Sequence, residues 1–223
     1  MSNRPVFIPT DSDKFVDEKN IEFKWHAGLS TSQKQKSVES LHKAILDNHG
    51  LSPILEISTK SLDEIGVKAS AFNLMLTLKN GVTASVESFY QGSKVFEGGG
   101  PYIDLYSCSS YEAKKDLRLN NSGKLIGFAF SNTKWGLNEF FYDWLYINGL
   151  LQNDSIAKKF KNYAGFTDIE FNPAKSYNCQ AYSAALYVSA HLKGLNINSV
   201  KSKTEFLKLF PPKKLKIFQL DLF

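Results

Sequence analysis

The sequence has 223 residues, of which 43% are hydrophobic and 13% aromatic. This composition excludes an intrinsically disordered chain, and no apolar run approaches the roughly 20 residues that a membrane-spanning helix needs. The formal net charge of +5 favours an anionic partner such as nucleic acid only weakly, because Lys-rich surfaces are common.

Alternating or β-branched runs predict strands, and apolar residues at helical spacing predict helices. The predicted strands are "PVFI" (5–8), "IEFKW" (21–25), "ILEIS" (54–58), "LIGFAF" (125–130) and the closing "PPKKLKIFQLDLF" (211–223). The predicted helices cover residues 32–48, 84–96, 111–118, 138–153, 178–193 and 203–210. In the first of these helices Val38, Leu41 and Ile45 share one side, and Gly50 is its stop.

The irregular order of these elements does not follow the βαβ alternation of a doubly wound sheet. We therefore predict an α+β fold, with a predominantly helical single domain over residues 1–223 and a small β-sheet. The start of the sequence shows no positive segment followed by an apolar core, so we expect no secretory signal and a cytoplasmic protein.

The stretch "SVESFYQGSKVF" (85–96) is the most informative candidate helix. At about 3.6 residues per turn, Glu87, Gln91 and Lys94 fall on one stripe. The apolar and aromatic side chains of the opposite face are Val86, Phe89, Tyr90 and Phe96. The stripe is either a solvated face with a Glu–Lys pair, or a set of polar groups aimed into a cleft.

Two further stretches carry candidate binding groups. In residues 165–186, Asp168 and Asn172 precede an Ala-rich helix whose first N–H groups suit a diphosphate, with Ser176 or Asn178 as a possible cap. The alternative is that these residues only cap and turn the chain. "EGGGPY" (97–102) lacks the Lys-Ser/Thr ending of a nucleoside-triphosphate loop, so it predicts a helix stop and turn, with close approach of a phosphate as the alternative.

Trp135 and Trp144 flank the start of the helix predicted for 138–153. Trp144 is most simply a core residue. Trp135 lies between a lysine and a glycine, so we expect it to be partly open, where its indole could stack on a base or a ribose.

Other classes of chemistry find little support. Cys108 and Cys179 are too few for a disulfide framework, and we expect both to be reduced and structural. The four histidines are scattered, no serine occupies a nucleophile elbow, and no metal or cofactor is expected. The basic runs at 33–36, 158–161 and 213–216 are either solvated faces or phosphate contacts.

Taken in order, these segments resemble the NADAR family, whose motifs are an S-N-F-like stretch, E-x-x-x-Q-x-x-K-F, an Ala-Lys motif, a Trp, D-x-x-W-G and N-x-L-G. The matching segments are "SAFN" (70–73), "ESFYQGSKVF" (87–96), "EAKKDLR" (112–118), Trp135, "DIEF" (168–171) and "NCQA" (178–181). The resemblance covers about 55–190, with strand-containing extensions on both sides. Three departures are Ala71 for the Asn of S-N-F, Phe171 for the Trp of D-x-x-W, and Val95 inserted between Lys94 and Phe96.

The segments "LEISTKS", "SAFNL", "GGPYIDL" and "FYDWLYINGL" are similar to NADAR proteins paired with DarT-type toxins, which ADP-ribosylate guanine in DNA. The resemblance implies an antitoxin that hydrolyses the N-glycosidic bond between ADP-ribose and the guanine amino group. ADP-ribosylated guanine in DNA would be its substrate, ADP-ribose its product and a cognate DarT-type toxin its partner, with no membrane contact.

The resemblance also implies the site. Glu87, Lys94 and Asp168 would be catalytic, and the substrate-binding residues would be Ser70, Asn73, Gln91, Trp135, Phe171 and Asn178. Lys94 would either stabilise the substrate or attack C1′ and form a Schiff base. Two other functions stay open: an N-glycosidase acting on a phosphoribosyl intermediate of riboflavin synthesis, and a non-catalytic module that binds the toxin.

Overall fold

The computed structural model of the protein describes residues 1–173 and 178–210. The strand predicted for 211–223, the basic run 213–216 and the possible cap Ser176 lie outside the described residues.

The described residues form an α+β fold, as the sequence predicts. The helices are α1 (Thr31–His49), α2 (Glu64–Ala69), α3 (Val86–Gly92), α4 (Ser110–Lys115), α5 (Arg118–Asn121), α6 (Phe141–Gln152), α7 (Asp154–Ala157), α8 (Gln180–Leu192) and α9 (Lys203–Leu209). The strands are β1 (Ser2–Pro9), β2 (Val16–Phe23), β3 (Ile54–Glu56), β4 (Met75–Thr77), β5 (Thr83–Ser85), β6 (Lys94–Phe96), β7 (Leu125–Phe130), β8 (Thr133–Trp135) and β9 (Gly165–Thr167).

Instead of one small sheet, these strands form three. The largest has the order β2-β1-β9-β3, and the others are the hairpin β4-β5 and the three-stranded β6-β7-β8. In the largest sheet β1 is antiparallel to both β2 and β9, whereas β9 runs parallel to β3. The parallel register sets Glu56 beside Thr167 at the ends of β3 and β9.

Helix α1 confirms the prediction made for 32–48. The side chain of Ser30 caps it, and Gly50 ends it in the left-handed conformation with φ 62°. Its apolar stripe packs with residues of β1, β2 and the segment after β9 in a cluster formed by Val6, Ile21, Phe23, Val38, Leu41, Ile45 and Ile169.

The larger core is built around α6 and α8, which are apolar on most of their circumference and therefore buried on most sides. Helix α6 begins at Phe141, later than the predicted 138, and the residue before it, Phe140, has a left-handed φ of 54°. Helix α8 begins at Gln180, and the helix predicted for 111–118 is split into α4 and α5 around Asp116.

The prediction of one helix over 84–96 is wrong for the C-terminal half of this range. Helix α3 ends at Gly92, and Lys94 is the first residue of strand β6. The chain runs close to the residues after β6 here, since a Cβ on Gly92 would lie 2.8 Å from the backbone oxygen of Tyr102. Lys94 therefore does not share a helical stripe with Glu87 and Gln91.

The glycine-rich stretch "EGGGPY" consequently follows a strand rather than a helix. The predicted turn is present, because the N–H of Phe96 donates to the carbonyl oxygen of Gly99 at 2.7 Å. Within the described part of the chain, no helix combines the length and apolarity that crossing a membrane would require.

Candidate active site

Glu87 and Gln91 form the buried polar face of α3. They lie one turn apart, and Gln91 Nε2 donates to Glu87 Oε1 at 2.9 Å. Both residues are only 6% exposed. The second polar atom of the amide, Gln91 Oε1, is buried with no hydrogen-bond partner among the described residues. A buried acceptor without a donor costs about 1–3 kcal/mol, so this oxygen is available to a ligand.

Lys94 reaches the same region from the start of β6. Its Nζ lies 5.1 Å from the ring centroid of Tyr90, which is on α3. Burial lowers the pKa of Lys94 to about 8, while the charge of Glu87 raises this pKa and that of Lys114 lowers it further. The strand thus brings Lys94 within range of the charge of Glu87, although not by the predicted helical spacing.

Lys114 is a second amine at this place, and the sequence analysis missed it as a site residue. Its Nζ lies 3.8 Å from Glu87 Oε1, and its side chain is 58% exposed. The same Nζ lies 5.0 Å from the ring centroid of Phe72. The signal that could have found it is the "EAKKDLR" segment itself, where the Lys of the Ala-Lys motif is Lys114.

Asp168 follows β9 directly and is 8% exposed. Its Oδ1 accepts from the backbone N–H of Glu170 at 3.0 Å and of Phe171 at 3.2 Å. Its Oδ2 accepts from Gln180 Nε2 at 2.9 Å. Burial raises the pKa of Asp168 to about 7, and the neighbouring charge of Glu56 raises it in the same direction.

Gln180 connects Asp168 to the segment that holds Glu87. Its Oε1 accepts from the backbone N–H of Ala71 at 2.8 Å. The carbonyl oxygen of Ala71 in turn accepts from the backbone N–H of Glu87 at 2.9 Å. Burial raises the pKa of Tyr142, and the charges of Glu87 and Asp168 both contribute to this shift, so the two carboxyls lie around one tyrosine.

Asn178 belongs to the same region. Its Nδ2 donates to the hydroxyl oxygen of Tyr90 at 2.7 Å. The alternative interpretation of Asn178 as a helix cap is wrong, because the N-cap of α8 is Cys179. Glu87, Gln91, Lys94, Asp168 and Asn178 are linked through Tyr90, Tyr142 and Gln180, and we call these five residues the carboxyl–lysine cluster.

Trp135 is not partly open, as the sequence suggested, but 3% exposed. The pairing of β6, β7 and β8 puts Lys94, Phe128 and Trp135 in one row, about two strand spacings (~10 Å) from end to end. The faces of the indole are occupied, since Trp144 lies 5.2 Å and Lys203 Nζ 5.4 Å from its ring. Its Nε1 is buried and has no partner among the described residues.

Three other predicted substrate-binding residues have their own contacts. Ser70 is buried at the end of α2, and Asn73 is exposed with its Nδ2 donating to the carbonyl oxygen of Val67 at 2.8 Å. The ring of Phe171 packs 6.4 Å from that of Phe7. The contact of these three residues with substrate stays a prediction. The "SAFN" segment is linked to the cluster through the backbone of Ala71, which bonds Gln180 and Glu87.

Both cysteines are free, with Cys179 buried. Among residues 1–173 and 178–210, no three His, Cys, Asp or Glu side chains converge as a metal site. The cluster offers two buried carboxyls and an amine with a pKa of about 8, a combination suited to proton transfer and nucleophilic attack at a sugar carbon.

An α+β fold with this cluster agrees with the resemblance seen in the sequence. The model of a family described as DarT1-associated NADAR antitoxin matches residues 2–217. The chain belongs to this antitoxin family, and membership implies a DarT-type toxin as its counterpart. The match extends well beyond the segment 55–190 that carries the motifs. No curated protein matches the sequence.

Proposed function

We propose that the protein removes ADP-ribose from guanine in DNA by hydrolysing the bond between C1′ of the ribose and the guanine amino nitrogen. Membership of the antitoxin family supports a substrate made by a DarT-type toxin. The observation that carries the proposal is the buried amine of Lys94, with a pKa of about 8, within range of the charge of the buried Glu87.

Breaking this bond develops oxocarbenium charge at C1′, which a nearby carboxylate stabilises. In the direct route, the Asp168 carboxyl donates its proton to the departing nitrogen, which keeps the electron pair of the broken bond. Glu87 stabilises C1′ and accepts a proton from the water whose oxygen bonds to C1′. One water is consumed, and the proton on Glu87 returns through solvent to Asp168.

In the covalent route, the uncharged amine of Lys94 attacks C1′ and guanine leaves with the proton of Asp168. A proton passes from the amine to the ring oxygen as the bond between C1′ and that oxygen breaks, and the nitrogen lone pair forms the double bond of a protonated Schiff base between Lys94 and C1′. Water then adds to C1′, its oxygen becomes the aldehyde oxygen of ADP-ribose, the amine of Lys94 is released, and the remaining proton returns through solvent to Asp168. We favour this route slightly, because burial makes the uncharged amine accessible near neutral pH.

Other residues of the site offer groups for the rest of the substrate. Gln91 Oε1 lacks a partner among the described residues and can accept from a ribose hydroxyl or from guanine. Lys114 is exposed and cationic beside Glu87, which suits a phosphate. The first N–H groups of α8, next to Asn178, stay a predicted diphosphate site.

The test uses purified protein and an oligonucleotide ADP-ribosylated on guanine, with release of ADP-ribose followed by mass spectrometry. We expect release from the guanine adduct but not from a thymidine adduct. Glu87→Gln should slow release by about 100-fold or more, because it keeps the shape but removes the charge. Glu64→Gln, an exposed carboxylate on α2, is the matched control and should retain the wild-type rate.

Two outcomes would overturn the proposal. Hydrolysis of phosphoribosyl metabolites with no release from modified DNA would assign the same residues to a small-molecule glycosidase. A stable complex with the toxin, combined with full protection of cells by Glu87→Gln, would show an antitoxin that acts by binding.

A further inference from the structure

Phe72 is an aromatic side chain that the structure leaves partly exposed beside the carboxyl–lysine cluster. Every other phenylalanine in residues 1–173 and 178–210 is either buried or packed against a hydrophobic cluster. A partly exposed apolar side chain is common by itself, so the meaning of Phe72 comes from its neighbours.

The ring of Phe72 lies close to the carboxylate that we propose to stabilise C1′. Lys114 Nζ lies 5.0 Å from the centroid of this ring and 3.8 Å from Glu87 Oε1. Because these two distances share one atom, the centroid is no farther from Glu87 Oε1 than their sum, about 8.8 Å. The base bonded to C1′ falls within this range. The adenine of ADP-ribose does not adjoin C1′, since a diphosphate and a second ribose separate them.

The segments that carry Phe72, Lys114 and Glu87 are fixed to one another. Ser110 is the first residue of α4, and its Oγ donates to the carbonyl oxygen of Phe72 at 2.7 Å. The same Oγ lies 2.7 Å from Oγ of Ser85, the N-cap of α3. Both serines are buried. The ring therefore keeps its place next to α3 and α4 without packing into the core, as a binding surface requires.

Polar groups next to Glu87 match the edge of a guanine, whose O6 accepts and whose adjacent N1–H donates. Lys114 offers only donors, and its side chain is 58% exposed and therefore free to turn towards a base. Gln91 Nε2 is engaged by Glu87, so the buried Gln91 Oε1 presents an acceptor with no partner among the described residues. One donor and one acceptor thus adjoin the same carboxylate oxygen.

We propose that Phe72 stacks on the guanine from which ADP-ribose is removed. This assignment rests on the proposed function, because it takes ADP-ribosylated guanine as the ligand. The sequence suggested Trp135 for stacking, but its indole is only 3% exposed. Phe72 offers the open aromatic surface that Trp135 lacks. Such a surface stacks on any base, and the polar groups beside Glu87 favour guanine.

The test separates the base from the rest of the substrate by using two probes. ADP-ribosylated guanosine carries the base without a DNA strand, and free ADP-ribose carries no guanine. Single-turnover release gives the protein concentration for half-maximal rate with the first probe, and calorimetry gives the affinity for the second. Phe72→Ala should raise the half-maximal concentration by about 5- to 150-fold and leave ADP-ribose affinity within about twofold.

Matched variants separate stacking from a structural effect. Phe72→Tyr should restore the wild-type value, whereas Phe72→Leu, which is apolar but not aromatic, should not. Tyr111→Ala is the control, because Tyr111 is an aromatic residue of α4 that is 61% exposed and lies beside Lys115. It should leave the half-maximal concentration unchanged. Thermal unfolding of each variant checks that the fold is retained.

Three results would overturn the inference. They are an unchanged half-maximal concentration in folded Phe72→Ala, an equal loss of affinity for ADP-ribose, and an equal effect of Tyr111→Ala. Normal turnover of the guanosine adduct by Phe72→Ala would leave the proposed function intact. If the wild-type protein releases no ADP-ribose, the proposed function fails, and the intact guanosine adduct can be titrated directly by calorimetry with the same variants. Binding that depends on Phe72 would then support stacking, and binding that does not would refute it.

Discussion

The two routes of glycosidic cleavage require opposite charge states of Lys94, and pH can separate them. The covalent route needs the uncharged amine, whereas electrostatic stabilisation needs the ammonium ion. With a pKa of about 8, roughly a tenth of the amine is uncharged at pH 7, which is about 300-fold more than for an ordinary lysine. Desolvation thus outweighs the opposing charge of Glu87.

The size of the pH effect follows from Lys94 and Asp168 together. In the covalent route the active form has Lys94 uncharged and Asp168 protonated, with pKa values of about 8 and about 7. Its population rises about fivefold from pH 6 to pH 7 and falls again above pH 8. In the direct route both groups must be protonated, so the population of the active form falls about twofold over the same interval.

The assay is a single-turnover measurement of ADP-ribose release at pH 6, 7 and 8, repeated with Lys94→Arg. We expect the rate to rise from pH 6 to pH 7 and Lys94→Arg to lose about 100-fold or more, since arginine stays protonated. Borohydride added during turnover should fix ADP-ribose to the peptide containing "GSKVF", and the mass increment should vanish in Lys94→Ala.

A different set of results would refute this reasoning. A rate that falls from pH 6 to pH 7, no trapped adduct during rapid turnover, and substantial activity in Lys94→Arg would assign Lys94 to electrostatic stabilisation. If the rate of ADP-ribose release by Lys94→Arg still rises from pH 6 to pH 7, the rise reports the titration of another group.

Two further substitutions test the surroundings of the site. Trp135→Ala should lower the free energy of unfolding by about 3–5 kcal/mol in urea titrations, because the indole is buried against Trp144. Unchanged stability with a selective loss of ADP-ribose affinity would instead restore a stacking role. Gln180→Ala should lower both turnover and stability, the latter by about 1–3 kcal/mol, because it leaves the Ala71 N–H and the Asp168 carboxyl without their bridge. Gln152→Ala, which removes a similar bridge to Thr77, should retain turnover, and equal activity losses in the two variants would contradict the role of Gln180.

Much of the fold was accessible from local patterns. The apolar stripe and the terminal Gly50 predicted α1 because both signals act within one helix. The end of α3 was missed, although Gly92 and the β-branched Val95 after Lys94 are signals against a continuing helix. The proximity of Lys94 to Glu87 was therefore predicted for an incorrect geometric reason, since Lys94 lies on a strand and is within range of the charge of Glu87.

The parts that the sequence did not predict depend on distant contacts. Trp135 was expected to be partly open because of its local neighbours, but α6 and α9 cover it. The side chain of Gln180 bonds Ala71, which lies 109 positions earlier in the chain, and no local pattern contains this contact. The sequence does contain a signal for Glu56, because it is a carboxylate inside the apolar strand "ILEIS", and carboxylates are unusual in buried positions.

The position of β1 between β2 and β9 has a consequence for protein synthesis. The hairpin of β1 and β2 is complete once residue 23 has been made, but its neighbour β9 ends at Thr167, the residue before Asp168. At about 5–20 residues per second, the ribosome needs roughly 10–30 s to reach that strand. During this interval the inner edge of the hairpin has no β9 to pair with, and Asp168 does not yet exist. Until then a partly translated chain lacks the carboxyl that we propose as the acid of the reaction.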